Sequence, residues 1–203
     1  MWCSGFWRSS LLFGLILLFV VGLQPAVARS RASYVRVGFL VGEGVHEGEL
    51  LYPLEHLREL GVQVTVIGVD TGTVMPYNSD TPVEIDSAIG ELAAENFDGL
   101  VIPGGRSPEN LRENAAVLQF VAEYAELGFP LAAICHGPQL LAAADLLEGR
   151  KITAYPGIEE EMLEAGAEFI DDEVVVDVNF ITSRGPDDLP AFTERLTVYL
   201  IEE

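Results

Sequence analysis

Short apolar runs alternate with stretches of helical periodicity along nearly the whole chain. Residues 99–103 form a continuous apolar run, which is typical of a strand covered on both faces of a sheet. In residues 49–60, apolar side chains recur at intervals of three and four until Gly61 ends the pattern. Because parallel strands need crossover connections, this alternation predicts an α/β fold with a mostly parallel sheet and helices on both faces.

The same patterns predict the individual elements. The predicted strands are residues 34–41, 62–69, 82–85, 99–103, 130–134, 151–154, 173–178 and 180–183. The predicted helices are residues 49–60, 137–147, 158–165 and 189–201, and residues 109–127 are predicted to contain helical stretches. Sheets of this kind bind ligands at the carboxyl ends of their strands. Cys135, Gly104, Gly105 and the loop after Val41 all fall at such ends.

The first 28 residues have the pattern of a secretory signal peptide. A single charge, Arg8, precedes an apolar core at residues 11–23, and Ala26-Val27-Ala28 forms a small-residue cleavage site. The core is shorter than the roughly 20 residues that span a bilayer, so cleavage is favoured over an uncleaved membrane anchor. We therefore expect residues 29–203 to form one domain that is secreted or periplasmic and free of the membrane.

Composition argues against several partners and cofactors. The formal net charge of −21 disfavours nucleic acids and anionic lipids. The histidines His46, His56 and His136 have no Cys or His at zinc-ligand spacing. Residues 42–44 supply two glycines after the first strand but not the later glycine of a dinucleotide fingerprint. The sequence therefore predicts no nucleic-acid partner, no metal and no cofactor.

Cys135 lies where a predicted strand passes into a predicted helix. Ala133 and Gly137 are small enough for the sharp turn that presents a nucleophile above a sheet. The following helix directs N–H groups and its positive dipole end at the sulfur, so we expect a lowered thiol pKa and a reactive thiolate. Cys3 belongs to the predicted leader, which leaves one free cysteine in the mature chain. The alternative is a small, buried apolar residue.

Four segments together resemble a known family. The segments Pro103-Gly-Gly-Arg-Ser-Pro-Glu109, Ala133-Ile-Cys-His-Gly-Pro138 and Ser183-Arg184 have the order and spacing of the PfpI/ThiJ family, in the class I glutamine amidotransferase-like superfamily. With Tyr155-Pro-Gly-Ile158, the resemblance is closest to the PfpI protease-like branch and extends over about residues 35–200. It implies a flavodoxin-like three-layer sandwich.

The resemblance also implies roles for four side chains. Cys135 matches the nucleophile and His136 the proton carrier beside it. Glu49 matches the glutamate that contacts the sulfur, and such a pair shares a proton. Glu109 occupies the position of the glutamate that reaches the Cys-His pair of a neighbouring subunit. A homo-oligomer, a dimer or a hexamer, would therefore complete the site, unless Glu109 is only a carboxylate at a helix start.

Backbone groups and pocket residues complete the predicted site. Gly104 and Gly105 permit a tight turn whose N–H groups, with that of His136, would form an oxyanion hole. Some protease-like relatives have a glutamate where this chain has His46, so this histidine is either a second acid or base or an exposed loop residue. The expected pocket residues are Tyr155, His46 and Arg106.

These residues predict an exported cysteine-dependent hydrolase. Its substrate would be a peptide or amide, or a small carbonyl compound or glycated amine as in the glyoxalase and deglycase members of the family. Both chemistries need the same thiol, carboxyl and amides, so the sequence leaves both open. The alternative is a redox or stress-protective protein with little or no turnover, in which Cys135 is oxidised to a sulfinic acid beside Glu49. Glutamine amidotransfer is disfavoured because no histidine follows His136.

Overall fold

The computed structural model describes residues 32–202, so the predicted leader at residues 1–28 lies outside the described residues. The strands are β1 (Arg36–Leu40), β2 (Gln63–Gly68), β3 (Gly72–Val74), β4 (Val83–Ile85), β5 (Ser87–Ala88), β6 (Gly99–Ile102), β7 (Leu131–Ile134), β8 (Lys151–Ile152), β9 (Glu168–Phe169), β10 (Val174–Asp177) and β11 (Phe180–Ser183). The α-helices are α1 (Glu47–Leu60), α2 (Ser107–Leu111), α3 (Ala115–Glu126), α4 (Pro138–Ala143), α5 (Glu159–Glu164) and α6 (Leu189–Thr197).

Seven strands form one sheet in the order β10-β11-β7-β6-β1-β2-β5. Every neighbouring pair in it is parallel except β10 and β11, which form an antiparallel hairpin. The predicted mostly parallel sheet and the predicted pairing of the last two strands are therefore confirmed. β3 and β4 form a separate hairpin, and β8 pairs with β9 outside the main sheet.

Helices cover both faces of the sheet, as predicted. α1 and α6 contribute Leu54 and Phe192 to one buried apolar cluster. α3, α4 and α5 contribute Phe120, Leu141 and Met162 to a second cluster. The sheet separates the two clusters, which gives the predicted three-layer sandwich. Within residues 32–202, none of the helices has both the length and the apolar composition needed to cross a bilayer.

The helical stretches predicted in residues 109–127 are two helices, α2 and α3. The side-chain oxygen of Asn114 accepts hydrogen bonds from the N–H groups of Ala116 at 3.0 Å and Val117 at 3.2 Å, which caps α3. Asn is a strong N-cap residue, and its local hydrogen bonds compete with a continuous helix. Because of this interruption, α2 is a separate short helix, and it carries Glu109 of the predicted site.

Several boundaries differ from the prediction. The predicted helix at residues 137–147 ends at Ala143, and Asp145 beyond it has a positive φ of 57°. The predicted strand at residues 151–154 is only Lys151–Ile152. After α6, the chain continues as a π-helical turn at Val198–Glu202.

The carboxyl ends of the central strands bring the predicted site together. β11 pairs with β7 so that Ser183 lies beside Ile134, which puts the loops after these two strands side by side. The loop after β1 reaches the loop after β6 through a bridge between Val45 and Gly105. The loops after β1, β6, β7 and β11 therefore converge at one edge of the sheet.

A strained residue in the β10–β11 turn allows a test of the fold. Val178 is 74% exposed and has a φ of 58°, where β-branched residues are rarely found. We expect Val178→Gly to raise the free energy of unfolding by about 1 kcal/mol, because it relieves this strain. Chemical denaturation measures the change. Val69→Gly, at an exposed position without a positive φ, should instead lower it. An equal decrease of the free energy of unfolding in both variants would contradict the claim that Val178 is strained.

Candidate active site

Cys135 occupies a sharp turn between β7 and α4. Its φ of 62° lies in the left-handed region, which non-glycine residues rarely adopt and which is often found at functional sites. The turn is held from both sides: the Cys135 N–H donates to the Ser183 carbonyl at 2.9 Å, and the Cys135 carbonyl accepts from the Tyr155 N–H at 2.9 Å. The residue is 7% exposed. The structure therefore places Cys135 in the geometry expected of a nucleophile.

His136 contacts the sulfur directly. Its Nδ1 lies 3.2 Å from Cys135 Sγ, although adjacent side chains at a turn often diverge. The imidazole is half-buried and stacks on the ring of Tyr155, with 4.9 Å between the ring centroids. Burial lowers the pKa of His136, and the charges of Glu109 and Glu161 raise it by less. A mainly neutral imidazole beside a thiol can accept its proton.

Glu49 lies in the first turn of α1 with its side chain fully buried. Oε2 accepts a hydrogen bond from the N–H of Gly104 at 2.8 Å, and the carboxyl also hydrogen-bonds the Cys135 thiol. Oε1 is buried and has no hydrogen-bond partner within residues 32–202. Burial raises the pKa of Glu49 to about 7, against the opposing effect of these two hydrogen bonds.

Gly104 is the point where these groups meet. A Cβ atom there would lie 2.7 Å from Cys135 Cβ, 2.7 Å from Glu49 Oε2 and 2.8 Å from the His136 nitrogen. Only glycine permits so close an approach. The N–H of Gly104 is already used by Glu49, so the prediction that Gly104 contributes to the oxyanion hole is wrong. Its role in the structure is to hold the carboxyl against the thiol.

Two other backbone amides face the sulfur. The N–H groups of Gly105 and His136 both hydrogen-bond Cys135. Gly105 has a φ of 76°, and a Cβ there would lie 2.5 Å from the Gly44 carbonyl oxygen, so the turn requires glycine. These two amides are the remaining predicted oxyanion donors, and that role stays a prediction.

The prediction of a lowered thiol pKa is wrong. Burial and the negative charge of Glu49 raise the pKa of Cys135 to about 12, and the amides of Gly105 and His136 oppose this with a smaller effect. Cys135 and Glu49 behave as one coupled acid, since the ionisation of either makes that of the other harder. Above the pKa of Glu49, the pair holds one proton and one negative charge. The thiol therefore keeps its proton until a base such as His136 accepts it.

The remaining predicted site residues surround this centre. Glu109 is exposed on α2 and acts on His136 only through its charge within this chain. His46 caps α1 by accepting a hydrogen bond at Nδ1 from the Glu49 N–H at 3.3 Å. Arg106 is exposed, and its guanidinium lies 5.7 Å from the centroid of the Tyr77 ring. His46 is thus a helix cap that contacts the edge of Tyr77, rather than an exposed loop residue.

Tyr155 borders a cleft beside His136. The cleft has a volume of about 430 Å³. Its lining residues are Tyr155, Pro156, Asp171, Arg184, Gly185, Pro186, Asp187 and Asp188. Tyr155 is 45% exposed, so its ring presents one surface to His136 and leaves another for a ligand. In the described part of the chain, no three His, Cys, Asp or Glu side chains are grouped as metal ligands.

Sequence reasoning missed two features of the site. Tyr77 lies at its mouth: burial, followed by the charges of Glu49 and Cys135, raises the pKa of Tyr77. No local pattern marks Tyr77, which lies in the irregular segment between β3 and β4. Glu161 hydrogen-bonds Gln139, and three successive glutamates there gave no signal that one of them turns inward. Gln139 directly follows the motif segment that ends at Pro138 and could have been singled out.

The raised pKa of Glu49 predicts an unusual pH dependence of stability. A carboxyl with a pKa of about 7 in the folded state and 4.5 in the unfolded state contributes stability at low pH that is lost as the pH rises through 7. Relative to Glu49→Gln, the free energy of unfolding of wild type should fall by about 3 kcal/mol at most as the pH rises. Chemical denaturation at several pH values measures it. Glu55→Gln, exposed on the same helix, should keep the wild-type profile. Parallel profiles for wild type and Glu49→Gln would contradict the raised pKa.

The chain has extensive similarity to known proteins. It is 41% identical over 158 residues to Deglycase PH1704 of Pyrococcus horikoshii, covering 78% of this chain and 95% of that protein. It is 42% identical over 159 residues to protein/nucleic acid deglycase 2 of Escherichia coli K12, covering 77% and 92%. The crystal structure of Drosophila melanogaster DJ-1beta matches with a TM-score of 0.78 and 28% identity, covering 83% of this chain and 91% of that one.

These relatives agree with the predicted class of cysteine-dependent hydrolase or deglycase, since two of them are named deglycases. Residues 35–198 match the DJ-1/PfpI family, and this range contains all four motifs around the site. The predicted family is confirmed: the chain belongs to the DJ-1/PfpI family.

Proposed function

We propose that this protein is an exported cysteine-dependent deglycase that acts on adducts of small carbonyl compounds with amines. The observation that carries the proposal is the contact of 3.2 Å between Cys135 Sγ and His136 Nδ1, beside two amides that face the sulfur. The names of the relatives support the substrate class. Export is supported by the leader pattern in residues 1–28.

The geometry supports a displacement at the carbon that bears the amine. Sγ of Cys135 bonds to this carbon, the carbon–nitrogen bond breaks, and the free amine leaves. His136 accepts the thiol proton at Nδ1 and delivers it to the departing nitrogen, so that no net charge is created. The oxygen on the attacked carbon is held by the N–H groups of Gly105 and His136. The oxygen of a water molecule then bonds to the same carbon, the carbon–sulfur bond breaks, and a proton from the water returns to the sulfur, so the carbonyl compound leaves as its hydrate.

The raised pKa of the thiol makes this proton transfer part of the attack itself. A preformed thiolate is disfavoured while Glu49 is ionised, because two negative charges would share one buried space. Proton transfer to His136 during carbon–sulfur bond formation avoids this state. The cleft beside Tyr155, with its volume of about 430 Å³, has room for the amine part of the substrate.

We expect Cys135→Ser to lower kcat/KM by at least about 100-fold, because its hydroxyl is a much weaker nucleophile. Release of free amine from a peptide treated with methylglyoxal is the primary assay, with methylglyoxal alone and a fluorogenic peptide as alternative substrates. Full turnover by the serine variant would contradict the proposal.

Peroxide titration with intact-mass measurement tests the redox alternative. A rapid gain of two oxygens by wild type, without turnover of any of the three substrates, would favour that alternative.

We further propose a homo-oligomer in which Glu109 of one protomer orients the Cys135–His136 pair of another. Exposure of Glu109 on α2 leaves its carboxylate available to a second copy. Glu109→Gln should lower kcat by about 10-fold or more, while light scattering still shows an assembly of at least two chains. Glu113→Gln, exposed just beyond α2, should behave as wild type. A monomer with full activity would contradict the shared site.

A further inference from the structure

Glu161 joins three helices directly behind the proposed site. Its Oε2 accepts a hydrogen bond from Gln139 Nε2 at 2.7 Å, and its Oε1 accepts one from Arg112 Nη1 at 2.9 Å. Gln139 lies in α4 and is 7% exposed, whereas Arg112 follows α2. Both carboxylate oxygens are thus fixed by donors from different elements. An arrangement of this kind holds a negative charge in one place rather than on a freely moving surface side chain.

Two connections tie this carboxylate to His136. Gln139 is on the first turn after His136, and its N–H donates to the His136 carbonyl at 3.0 Å. On the other side, the ring of Tyr155 stacks on the imidazole, and Pro156–Ile158 leads from Tyr155 directly into α5, which carries Glu161. Glu161 is therefore connected to the backbone of His136 through Gln139, and to Tyr155, on which the imidazole stacks, through its own helix.

The charged groups around His136 come from four elements. On the sulfur side are Cys135 itself and Glu49 of α1. Glu109 of α2 and Glu161 of α5 each raise the pKa of His136, against the larger lowering by burial. Glu109 is exposed, and its carboxylate makes no hydrogen bond or ion pair within residues 32–202. Glu161, about one third exposed and doubly hydrogen-bonded, is the carboxylate whose position this chain itself determines.

We propose that Glu161 is a positioning residue for His136: clamped by Gln139 and Arg112, it fixes the imidazole and places a negative charge beside it within a single protomer. This inference rests on the proposed function, because it assigns a partner to the group that carries the thiol proton. When His136 accepts that proton, the imidazolium is stabilised by the carboxylate. Arg112 offsets part of that charge, so removal of Glu161 and removal of Arg112 should act in opposite directions.

The pKa of the His136 imidazole, measured by NMR titration, tests the inference without any substrate. His136→Ala assigns its signal among the three histidines. We expect Glu161→Gln to lower the pKa by about 0.5 and Arg112→Gln to raise it by a similar amount, because the first removes the carboxylate's charge and the second removes the cation paired with it. Arg112→Gln keeps a donor toward Glu161, whereas Glu161→Gln keeps one acceptor oxygen and loses one of the two hydrogen bonds of the clamp. Glu161→Asp should stay close to wild type, and so should Glu160→Gln, an exposed neighbour.

A purely structural role would move the two pKa values in the same direction or leave both unchanged, and either result would overturn the inference. Glu161→Asp is the control for a folding defect, because it keeps the negative charge. If its His136 pKa departed from the wild-type value, that result would also count against the inference. In the amine-release assay, the acid limb of the pH profile should shift with the pKa. Opposite pKa shifts without any turnover would reject the proposed function while leaving the placement of the charge intact.

Discussion

The structure depends on the contact between a buried carboxyl and a buried thiol across Gly104. Two acids that both ionised in this space would repel strongly and would lack water to solvate them, which is costly inside a protein. Burial raises the pKa of both groups, and the negative charge of Glu49 raises that of Cys135 further, so the pair keeps a proton between them. This condition requires glycine at position 104 and a neighbouring base, His136, that can remove the proton when it is needed.

The fold supplies this contact through the geometry of a parallel sheet. Because β1, β6 and β7 run in the same direction, the loops that follow them meet at one edge, although their residues are far apart in the chain. Helix α1 delivers Glu49 with its first turn, and the turn before α4 delivers Cys135. Buried apolar clusters on both faces keep these elements in place, so the site is built on rigid parts of the structure.

Local patterns in the sequence were sufficient for the architecture and for much of the site. Periodicity identified the central strands, and the motif around Cys135 identified the nucleophile turn. The pKa of the thiol was predicted wrongly because the argument used only the following helix, whereas the dominant effects are burial and Glu49, which the fold brings from another element. Glu161 was missed for the same reason: its hydrogen bonds to Gln139 and Arg112 exist only after three helices have packed together.

The protonation of Glu49 tests the central claim most directly. Infrared difference spectroscopy follows the carboxylic acid band as a function of pH, and Glu49→Gln identifies the contribution of this single group. Burial of the carboxyl against the thiol predicts a band that belongs to Glu49 and disappears with a midpoint near pH 7, in keeping with the raised pKa. A midpoint near 4.5, the ordinary value for a glutamate, would show that the carboxyl ionises independently of its surroundings and would contradict the account.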